Sequence, residues 1–196
     1  MSSLNTQHPA VSAPANVHVS TSCALVDLTV VPRVGFRGAH AATYLNARGF
    51  DLPERPNTAV SQSDGSMVAR LSHTEYLILG SFQDHGERVA DEEARWELDH
   101  TANYMLPRQD SHAWMQLSGP SISQVMAKLC GVDLSCAAFP PGAVAQTSAA
   151  RINVILINGS DDAHSKYHIL VDRASLDYFK GAVHDAMDEF REVAPD

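Results

Sequence analysis

The sequence is poor in cysteine, with three among its 196 residues. Cys23, Cys130 and Cys136 cannot all pair with one another, and a reducing compartment would keep them as thiols. The chain therefore does not rely on a disulfide framework. It is nevertheless long enough to bury roughly two thirds of its unfolded surface without cross-links. We expect a globular protein of one domain or two small ones.

Basic residues and long apolar runs are also scarce. The 14 lysines and arginines are outnumbered by 23 aspartates and glutamates, which gives a formal net charge of −9. This charge repels phosphate backbones and anionic lipid. No run approaches the ~18 apolar residues of a membrane-spanning helix, and the start of the sequence lacks the basic and apolar regions of a signal peptide. These absences predict no nucleic-acid partner, no membrane partner and a cytoplasmic location.

Motifs for catalysis and cofactor binding are missing. The sequence has no G-x-G-x-x-G, no phosphate-binding P-loop and no H-E-x-x-H. The segment GPSIS lacks the second glycine of a nucleophile elbow. His164 and His168 are four residues apart, but they straddle a predicted strand start and not a helix face. We therefore expect no catalytic or cofactor-binding residue in this chain.

The alternative to free thiols is that the cysteines bind zinc. Cys130 and Cys136 could be combined with a histidine such as His112, because thiolate and imidazole are the ligands that zinc prefers. However, the gap between the two cysteines does not have the spacing of a zinc knuckle, and Cys130 ends an apolar helix. We therefore interpret both cysteines as packing residues and predict no metal-binding residue.

The second half of the chain alternates strand-like and helix-like segments. Residues 114–117 are predicted to form a strand, and Gly119 and Pro120 to open an amphipathic helix that ends at Gly131. The Pro-Pro-Gly sequence at 140–142 combines fixed and permissive backbone angles, so we interpret it as scaffold that sets the entry into a strand. Further strands are predicted in AVAQTSAA, RINVILIN and KYHILVD, and a final helix in SLDYFKGAVHDAMDEF.

The first half repeats this order. The segment CALVDLTVVPRVGFRG is strand-like with Pro32 as a break. A short helix, an extended connector and two strands follow in GAHAATYLNARG, FDLPERPNTAV, GSMVARLS and TEYLILGS. Met67, Ala69 and Leu71 alternate on one face. Because both halves run strand, glycine, helix, glycine and a hydrophobic-Asp-Leu connector, we predict an α+β fold of two pseudo-repeated strand-helix-hairpin units with antiparallel sheets.

Composition divides the chain further. The predicted divisions are a leader at 1–22, a domain at 23–196, pseudo-repeats at about 23–82 and 112–192, and an acidic connector at 83–111. The leader is rich in Ser, Ala, Asn and Pro, and it buries too little apolar surface to offset the entropy of ordering, so we expect it to be flexible. Within the connector, residues 83–100 are predicted to form a solvated helix, on which Val89 and Trp96 give one small contact stripe.

Three segments carry a resemblance to a known family: LSGP, GVDLSCAAFPPGAVAQT and ARLSHTEYLILG. They resemble the gamma subunit of heterotetrameric sarcosine oxidases, and the resemblance runs over most of the chain from about residue 23. It implies a fold related to the folate domain of the aminomethyltransferase, or T-protein, of glycine cleavage. It also implies a subunit without an assigned cofactor or catalytic residue. FAD, FMN, NAD and tetrahydrofolate then belong to the alpha and beta subunits and zinc to the delta subunit.

The resemblance favours a non-catalytic structural and assembly subunit of a complex that demethylates sarcosine to glycine and transfers the one-carbon unit to tetrahydrofolate. Each repeat needs a cover for its second sheet face. This need predicts a larger partner. The resemblance implies that the alpha subunit is the main contact, through sheet faces or edges, with the beta and delta subunits as further partners.

Two alternatives stay open. The chain could be the equivalent subunit of an N-methylglutamate dehydrogenase. It could also bind folate or act as an aminomethyltransferase, which requires a carboxylate that holds the pterin and assists proton movement. Asp27, Asp133 and Asp172 are candidates for that carboxylate by their positions near the ends of strands or helices.

Overall fold

Eleven strands and five helices are present in the residues that the computed structural model describes, 17–19 and 22–190. The strands are β1 (Val17–Val19), β2 (Ala24–Asp27), β3 (Arg33–Arg37), β4 (Thr58–Ser61), β5 (Met67–Arg70), β6 (Glu75–Leu79), β7 (Tyr104–Leu106), β8 (His112–Ser118), β9 (Val144–Ala149), β10 (Ile152–Asn158) and β11 (Lys166–Asp172). The helices are α1 (Ala41–Ala47), α2 (Glu87–Arg95), α3 (Arg108–Ser111), α4 (Ile122–Ala127) and α5 (Leu176–Asp188). Within those ranges no helix has the length and apolar character to cross a membrane.

The strands form two antiparallel sheets. The six-stranded sheet has the order β1-β2-β8-β11-β10-β9, and the five-stranded sheet has the order β4-β5-β6-β3-β7. Central strands such as β6 and β11 are buried at nearly every position. Burial of this kind means that both faces of each sheet are covered.

Three apolar clusters account for this burial. The middle cluster joins the inner faces of the two sheets, for example Leu77 of β6 with Trp114 of β8 and Leu170 of β11. It also contains Ala69 and Leu71, with Met67 packed against it, which confirms the predicted face. A second cluster packs α4 and α5 on the outer face of the six-stranded sheet, and a third packs α1 and α2 on the outer face of the five-stranded sheet. The molecule therefore has four layers, with helices outside and sheets inside.

The predicted pseudo-repeat is confirmed by the topology. The first unit runs β3, α1, β4, β5, β6, and the second runs β8, α4, β9, β10, β11. Both units have the same strand order, because the last strand returns to pair with the first: β4-β5-β6-β3 and β9-β10-β11-β8. A helix on the outer face follows each unit, α2 in the first and α5 in the second.

The strand that precedes each unit joins the sheet of the other unit. Strand β2 leads into β3 but pairs with β8, and β7 leads into β8 but pairs with β3. The chain therefore crosses between the sheets twice, at 28–32 and at 107–111. The segment CALVDLTVVPRVGFRG is consequently two strands of different sheets, with Pro32 in the first crossover. Each unit completes the sheet of the other, so the two units are interlocked.

The proline-rich connectors of the two units are hydrogen-bonded to each other where they enter β4 and β9. The backbone N–H of Ala59 donates to the carbonyl oxygen of Gly142 at 2.7 Å, and that of Val144 donates to Asn57 at 2.9 Å. Asn57 and Gly142 both have a left-handed backbone, with φ of 59° and 79°. The Pro-Pro-Gly turn at 140–142 thus leads into the junction that ties β4 to β9.

Helix α4 is shorter than predicted. It begins at Ile122 and ends at Ala127, whereas the sequence pattern extends from Pro120 to Gly131. The chain turns after Ala127 because Cys130 returns to the sheet, where it forms a bridge with Ala149. The apolar stripe predicted for the helix therefore continues past its last residue, and Cys130 is buried although it is not helical.

Three strands lie where none was predicted. Strand β4 occupies the expected extended connector, and β7 lies in the acidic connector. Strand β1 lies inside the expected leader and pairs with β2, from Val17 opposite Val26 to Val19 opposite Ala24. The rest of the leader up to residue 21, and the last residues 191–196, lie outside the described residues.

The contact stripe on the acidic connector faces the protein itself. Val89 of α2 is buried, and Trp96, just after α2, is half-buried; both belong to the cluster on the outer face of the five-stranded sheet. Glu92, which lies between them, is also buried and is 3.5 Å from Nε of Arg48. The sheet needs a cover on this face, so the stripe is used for folding and does not form an exposed docking surface.

Candidate functional site

The structure does not bring the proposed zinc ligands together. Cys130 is buried, Cys136 is exposed in the loop after α4, and His112 begins β8. Across 17–19 and 22–190, no group of three His, Cys, Asp or Glu side chains is arranged to hold a metal ion. The packing interpretation is confirmed for Cys130 and is wrong for Cys136, because that side chain lies in a loop outside the core.

The three carboxylates considered for folate binding have separate local roles. Asp27 accepts from the backbone N–H of Thr29 at 2.9 Å and pairs with Lys180 at 3.2 Å. Burial raises its pKa, but these partners outweigh burial, so the pKa of Asp27 lies below its usual value. Asp133 accepts from the N–H of residue 135 at 2.9 Å in an exposed turn. Asp172 accepts from the N–H of residue 174 at 2.8 Å and caps the turn before α5.

A cleft with both polar and apolar lining opens between the two sheets, and we call it the inter-sheet cleft. Its volume is about 290 Å³. It is lined by Ser61, Gly65, Met67, Leu79, Gly80, Phe82, Trp114, Gln116, Gly159, Ser160, Asp161, Lys166 and His168. None of the three carboxylates considered for folate binding lines it.

A tryptophan and a histidine form the buried wall of the inter-sheet cleft. Nε1 of Trp114 donates to Nδ1 of His168 at 3.2 Å, and only 2% of Trp114 and 7% of His168 are exposed. Burial lowers the pKa of His168 to about 4, and the charge of Lys166 adds to this effect. The imidazole is therefore neutral at pH 7. Because the indole N–H only donates, Nδ1 is the acceptor and the proton of the imidazole lies on Nε2.

The mouth of the inter-sheet cleft contains an ion pair and an exposed aromatic ring. Nζ of Lys166 lies 2.9 Å from Oδ2 of Asp161. Hydrogen bonds from Lys166 and from the backbone hold the pKa of Asp161 far below its usual value. Phe82 lies at the same opening and is 52% exposed. The two charges offset each other, so the mouth is polar but has no net charge.

A second cleft of about 330 Å³ is lined by residues of the second unit alone. It is lined by His112, Gln146, Thr147, Asn153, Val154, Ile155 and Leu170. Burial, followed by the charges of Arg108 and Arg33, lowers the pKa of His112 to about 4. Oγ of Ser111 lies 2.8 Å from Nδ1 of His112.

The pseudo-repeat relates the two clefts. In the first unit Met67 is opposite Leu79, and in the second unit Ile155 is opposite Leu170. The same registers place His168 where the first unit has Leu77. The clefts are therefore built on equivalent strands, but only one of them has a buried histidine on its inner face.

No protein-family model matches the sequence, and no curated protein matches it. A solved structure does match almost end to end. It is a chain of the heterotetrameric sarcosine oxidase from Corynebacterium sp. U-96, in a complex with pyrrole 2-carboxylate. The match has 21% identity and a TM-score of 0.70, and it covers 92% of this chain and 91% of that chain. The two chains share one fold.

A second match links this sarcosine oxidase-type fold to the T-protein. The aminomethyltransferase T of the glycine cleavage system of Bartonella henselae is 11% identical, with a TM-score of 0.59. The match covers 83% of this chain and 45% of that chain, so this chain spans less than half of its length. Both matches confirm the predicted fold class, an α+β arrangement of antiparallel sheets like the folate domain of the T-protein.

Sequence reasoning missed the pair formed by Trp114 and His168. The signal was present in the repeat, because residue-by-residue comparison of β6 with β11 sets His168 against the apolar Leu77. The same comparison of β3 with β8 sets Trp114 against Arg33, since these two residues are opposite Leu170 and Leu79. All of these residues lie outside the most similar parts of the two repeats, residues 35–53 and 116–134.

The buried histidine predicts a loss of stability in mild acid. The pKa of His168 is depressed from 6.5 to about 4 in the folded chain, so the unfolded chain binds more protons between these values. The stabilisation is fully present above pH 6.5 and is lost as the pH falls towards 4. We expect this residue to lower the free energy of unfolding by about 2 kcal/mol between pH 7 and pH 5. Urea denaturation at the two pH values measures this difference.

A matched pair of variants isolates this contribution. His168→Phe should show a smaller acid loss than the wild type, whereas His164→Phe should keep it, because the side chain of His164 is 77% exposed. An unchanged acid loss in His168→Phe would contradict the assignment.

Proposed function

We propose that this chain is the gamma-type subunit of a heterotetrameric, flavin-dependent secondary amine oxidase, and that its role is structural and not catalytic. The observation that carries the proposal is the reciprocal coverage. The chain aligns over 92% of its own length with 91% of one chain of an oxidase described as heterotetrameric. A whole-chain match of this kind is what a separate subunit of such an assembly would give.

The aminomethyltransferase alternative receives less support. That enzyme is matched over only 45% of its length and at a lower TM-score. The carboxylates that a folate site would need are engaged elsewhere: Asp27 with Lys180, Asp133 in a turn and Asp172 in a cap. These contacts support a structural use of all three.

The family resemblance supplies the reaction. The assembled enzyme would oxidise sarcosine to glycine and pass the one-carbon unit to tetrahydrofolate in the cytoplasm. FAD, FMN, NAD, tetrahydrofolate and zinc would be bound by the alpha, beta and delta partner subunits, and the alpha subunit would be the main contact of this chain. In an N-methylglutamate dehydrogenase this chain would have the same role, and only the amine and the electron acceptor would differ.

Of the expected sheet faces and edges, the edges are better supported as the partner contact, because each sheet face is already covered by a helix layer or by the other sheet. Sheet edges remain. Strands β4 and β9 are tied to each other, and the other two outer strands are β1 and β7. Strand β7 carries Tyr104, which is 52% exposed. Leu98, in the segment before β7, is 68% exposed, so we assign the partner contact to the β7 edge.

The non-catalytic role is tested with the purified chain alone. We expect no flavin absorption bands and no amine-dependent reduction of oxygen or of a dye. An ultraviolet-visible spectrum and an assay with sarcosine measure both. Stoichiometric flavin bands or turnover in the intact isolated chain would contradict the structural role.

A further inference from the structure

The inter-sheet cleft has two walls of different chemistry. Met67 and Leu79 of the five-stranded sheet contribute an apolar wall, and Phe82 extends it to the mouth. The opposite wall consists of residues on neighbouring strands of the six-stranded sheet. There Gln116 of β8 lies directly opposite His168 of β11, and side chains at such positions are about 5 Å apart at Cβ.

The polar wall has hydrogen-bonding capacity that the protein does not use. The Nε2–H of His168 has no acceptor among the described residues, although the side chain is more than nine-tenths buried. The amide of Gln116 likewise makes no side-chain hydrogen bond within 17–19 and 22–190, and the residue is half-buried. Neither His168 nor Gln116 contributes a fully buried polar atom without a partner in the described part of the chain, so these groups stay accessible from the cleft. A donor and an amide with both donor and acceptor atoms are thus presented side by side.

The space beside this donor is kept open by a glycine. A Cβ atom on Gly159 would lie 2.6 Å from Nε2 and 2.8 Å from Cδ2 of His168. Such a contact is too short for any side chain to be accommodated without movement of the ring. The absence of a side chain at Gly159 therefore preserves access to the imidazole.

We propose that the inter-sheet cleft binds a small, planar, neutral molecule that carries an amide or lactam group. The carbonyl oxygen of this molecule accepts from Nε2–H of His168, and its N–H donates to Oε1 of Gln116. The ring lies between Trp114 and the apolar wall. A volume of about 290 Å³ is close to the lower limit for small-molecule pockets, which suits one or two rings.

The charges around the inter-sheet cleft favour a neutral ligand over an anionic one. Among the described residues that line the cleft, the one lysine or arginine is Lys166, which is already paired with Asp161, and His168 is uncharged at pH 7. A carboxylate would therefore enter without a free positive charge to compensate its loss of water. This site lies away from the β7 edge, and the proposal does not depend on the assembly role.

Nicotinamide and benzamide are suitable neutral probes, with nicotinate as the charged counterpart of the first. We expect isothermal titration of the full chain to show one saturable site, with a Kd of about 1 mM or lower for at least one amide and at least about tenfold weaker binding of nicotinate. No saturable binding of either amide up to about 10 mM would overturn the proposal, and so would equal binding of nicotinate.

Variants locate the site. His168→Phe keeps a ring but removes the donor, and should weaken amide binding about tenfold. Asn153→Ala, an exposed residue of the second cleft, should leave binding unchanged. Gln116→Leu provides the same test at a half-buried position, should His168→Phe fail to fold. Unchanged affinity in His168→Phe or in Gln116→Leu, or equal weakening in Asn153→Ala, would show that the amide binds elsewhere and would overturn the assignment.

Discussion

Replacing Arg33 with methionine is expected to lower the free energy of unfolding by about 3–5 kcal/mol. Arg33 is fully buried and lies at the point where the two crossovers meet. Its Nε donates to the carbonyl oxygen of His112 at 2.9 Å. Its Nη1 donates to the carbonyl oxygens of Thr29 and Val31 at 3.0 and 2.9 Å. Both oxygen atoms of Gln109 also accept from the guanidinium, at 3.2 and 3.3 Å.

The expected loss of stability is large because the methionine variant leaves buried hydrogen-bond acceptors without a donor. Methionine fills much of the same volume but donates no hydrogen bond, so several buried carbonyl oxygens lose their partner. These oxygens belong to the first crossover, to α3 and to the start of β8, so the variant weakens both connections between the sheets. Burial also lowers the pKa of Arg33 to about 10, which still leaves the side chain charged at pH 7.

Arg37→Met is the matched control, four residues further along at the other end of β3. The Arg37 side chain is 66% exposed, and its Nε lies 3.8 Å from Glu75. An exposed ion pair of this kind contributes little, so we expect a change within about 0.5 kcal/mol. Urea denaturation of the two variants measures the difference. A loss below about 1 kcal/mol for Arg33→Met would show that the crossovers are held by other contacts.

Gly38→Ala is expected to destabilise the chain by about 3 kcal/mol or more. Gly38 has φ of 143°, and a Cβ atom there would lie 2.0 Å from the carbonyl oxygen of Ala102. Neither the backbone angle nor the contact tolerates a side chain. The equivalent Gly119 has φ of 122°, and its Cβ would lie 2.3 Å from the carbonyl oxygen of Ser22. Each glycine thus lets the strand entering from the other unit pass close by.

Gly181→Ala serves as a control of opposite sign. Gly181 lies inside α5, and a Cβ atom there would meet nothing within 4 Å. Alanine should therefore stabilise the helix by about 0.5–1 kcal/mol. Thermal denaturation of both variants gives the comparison. Equal stability of Gly38→Ala and Gly181→Ala would contradict the close approach of the two units.

The sequence predicted much of the fold because the decisive signals are local. Alternation identified β5, β6 and β9 to β11, and helical spacing identified α1 and α5. The exchange of β2 and β7 was not predictable in this way, because a strand's residues indicate which faces are buried but not which neighbour it pairs with. Arg33 illustrates the limit: its position at the start of β3 gives no sign that its side chain holds two crossovers.

The candidate site was predicted even less well. Polar residues on an inner sheet face look like ordinary alternation when each strand is read alone. His168 stands out only when β11 is compared with β6, and its pairing with Trp114 depends on the register between β8 and β11. The carboxylates chosen by position proved to be turn and cap residues, because chain ends and strand ends favour Asp for local hydrogen bonding.

Co-purification with partner subunits tests the central claim, that this chain is a structural subunit, most directly. The chain is co-expressed with candidate alpha, beta and delta subunits, and only the alpha subunit carries an affinity tag. We expect this chain to elute with the others in a one-to-one ratio and to stay bound through about 1 M salt, since a mainly apolar contact is little screened. Such a contact should bury about 2,000 Å² or more. If this chain is absent from the fraction eluted with the tagged alpha subunit, and light scattering shows it to be a soluble monomer, the account is contradicted.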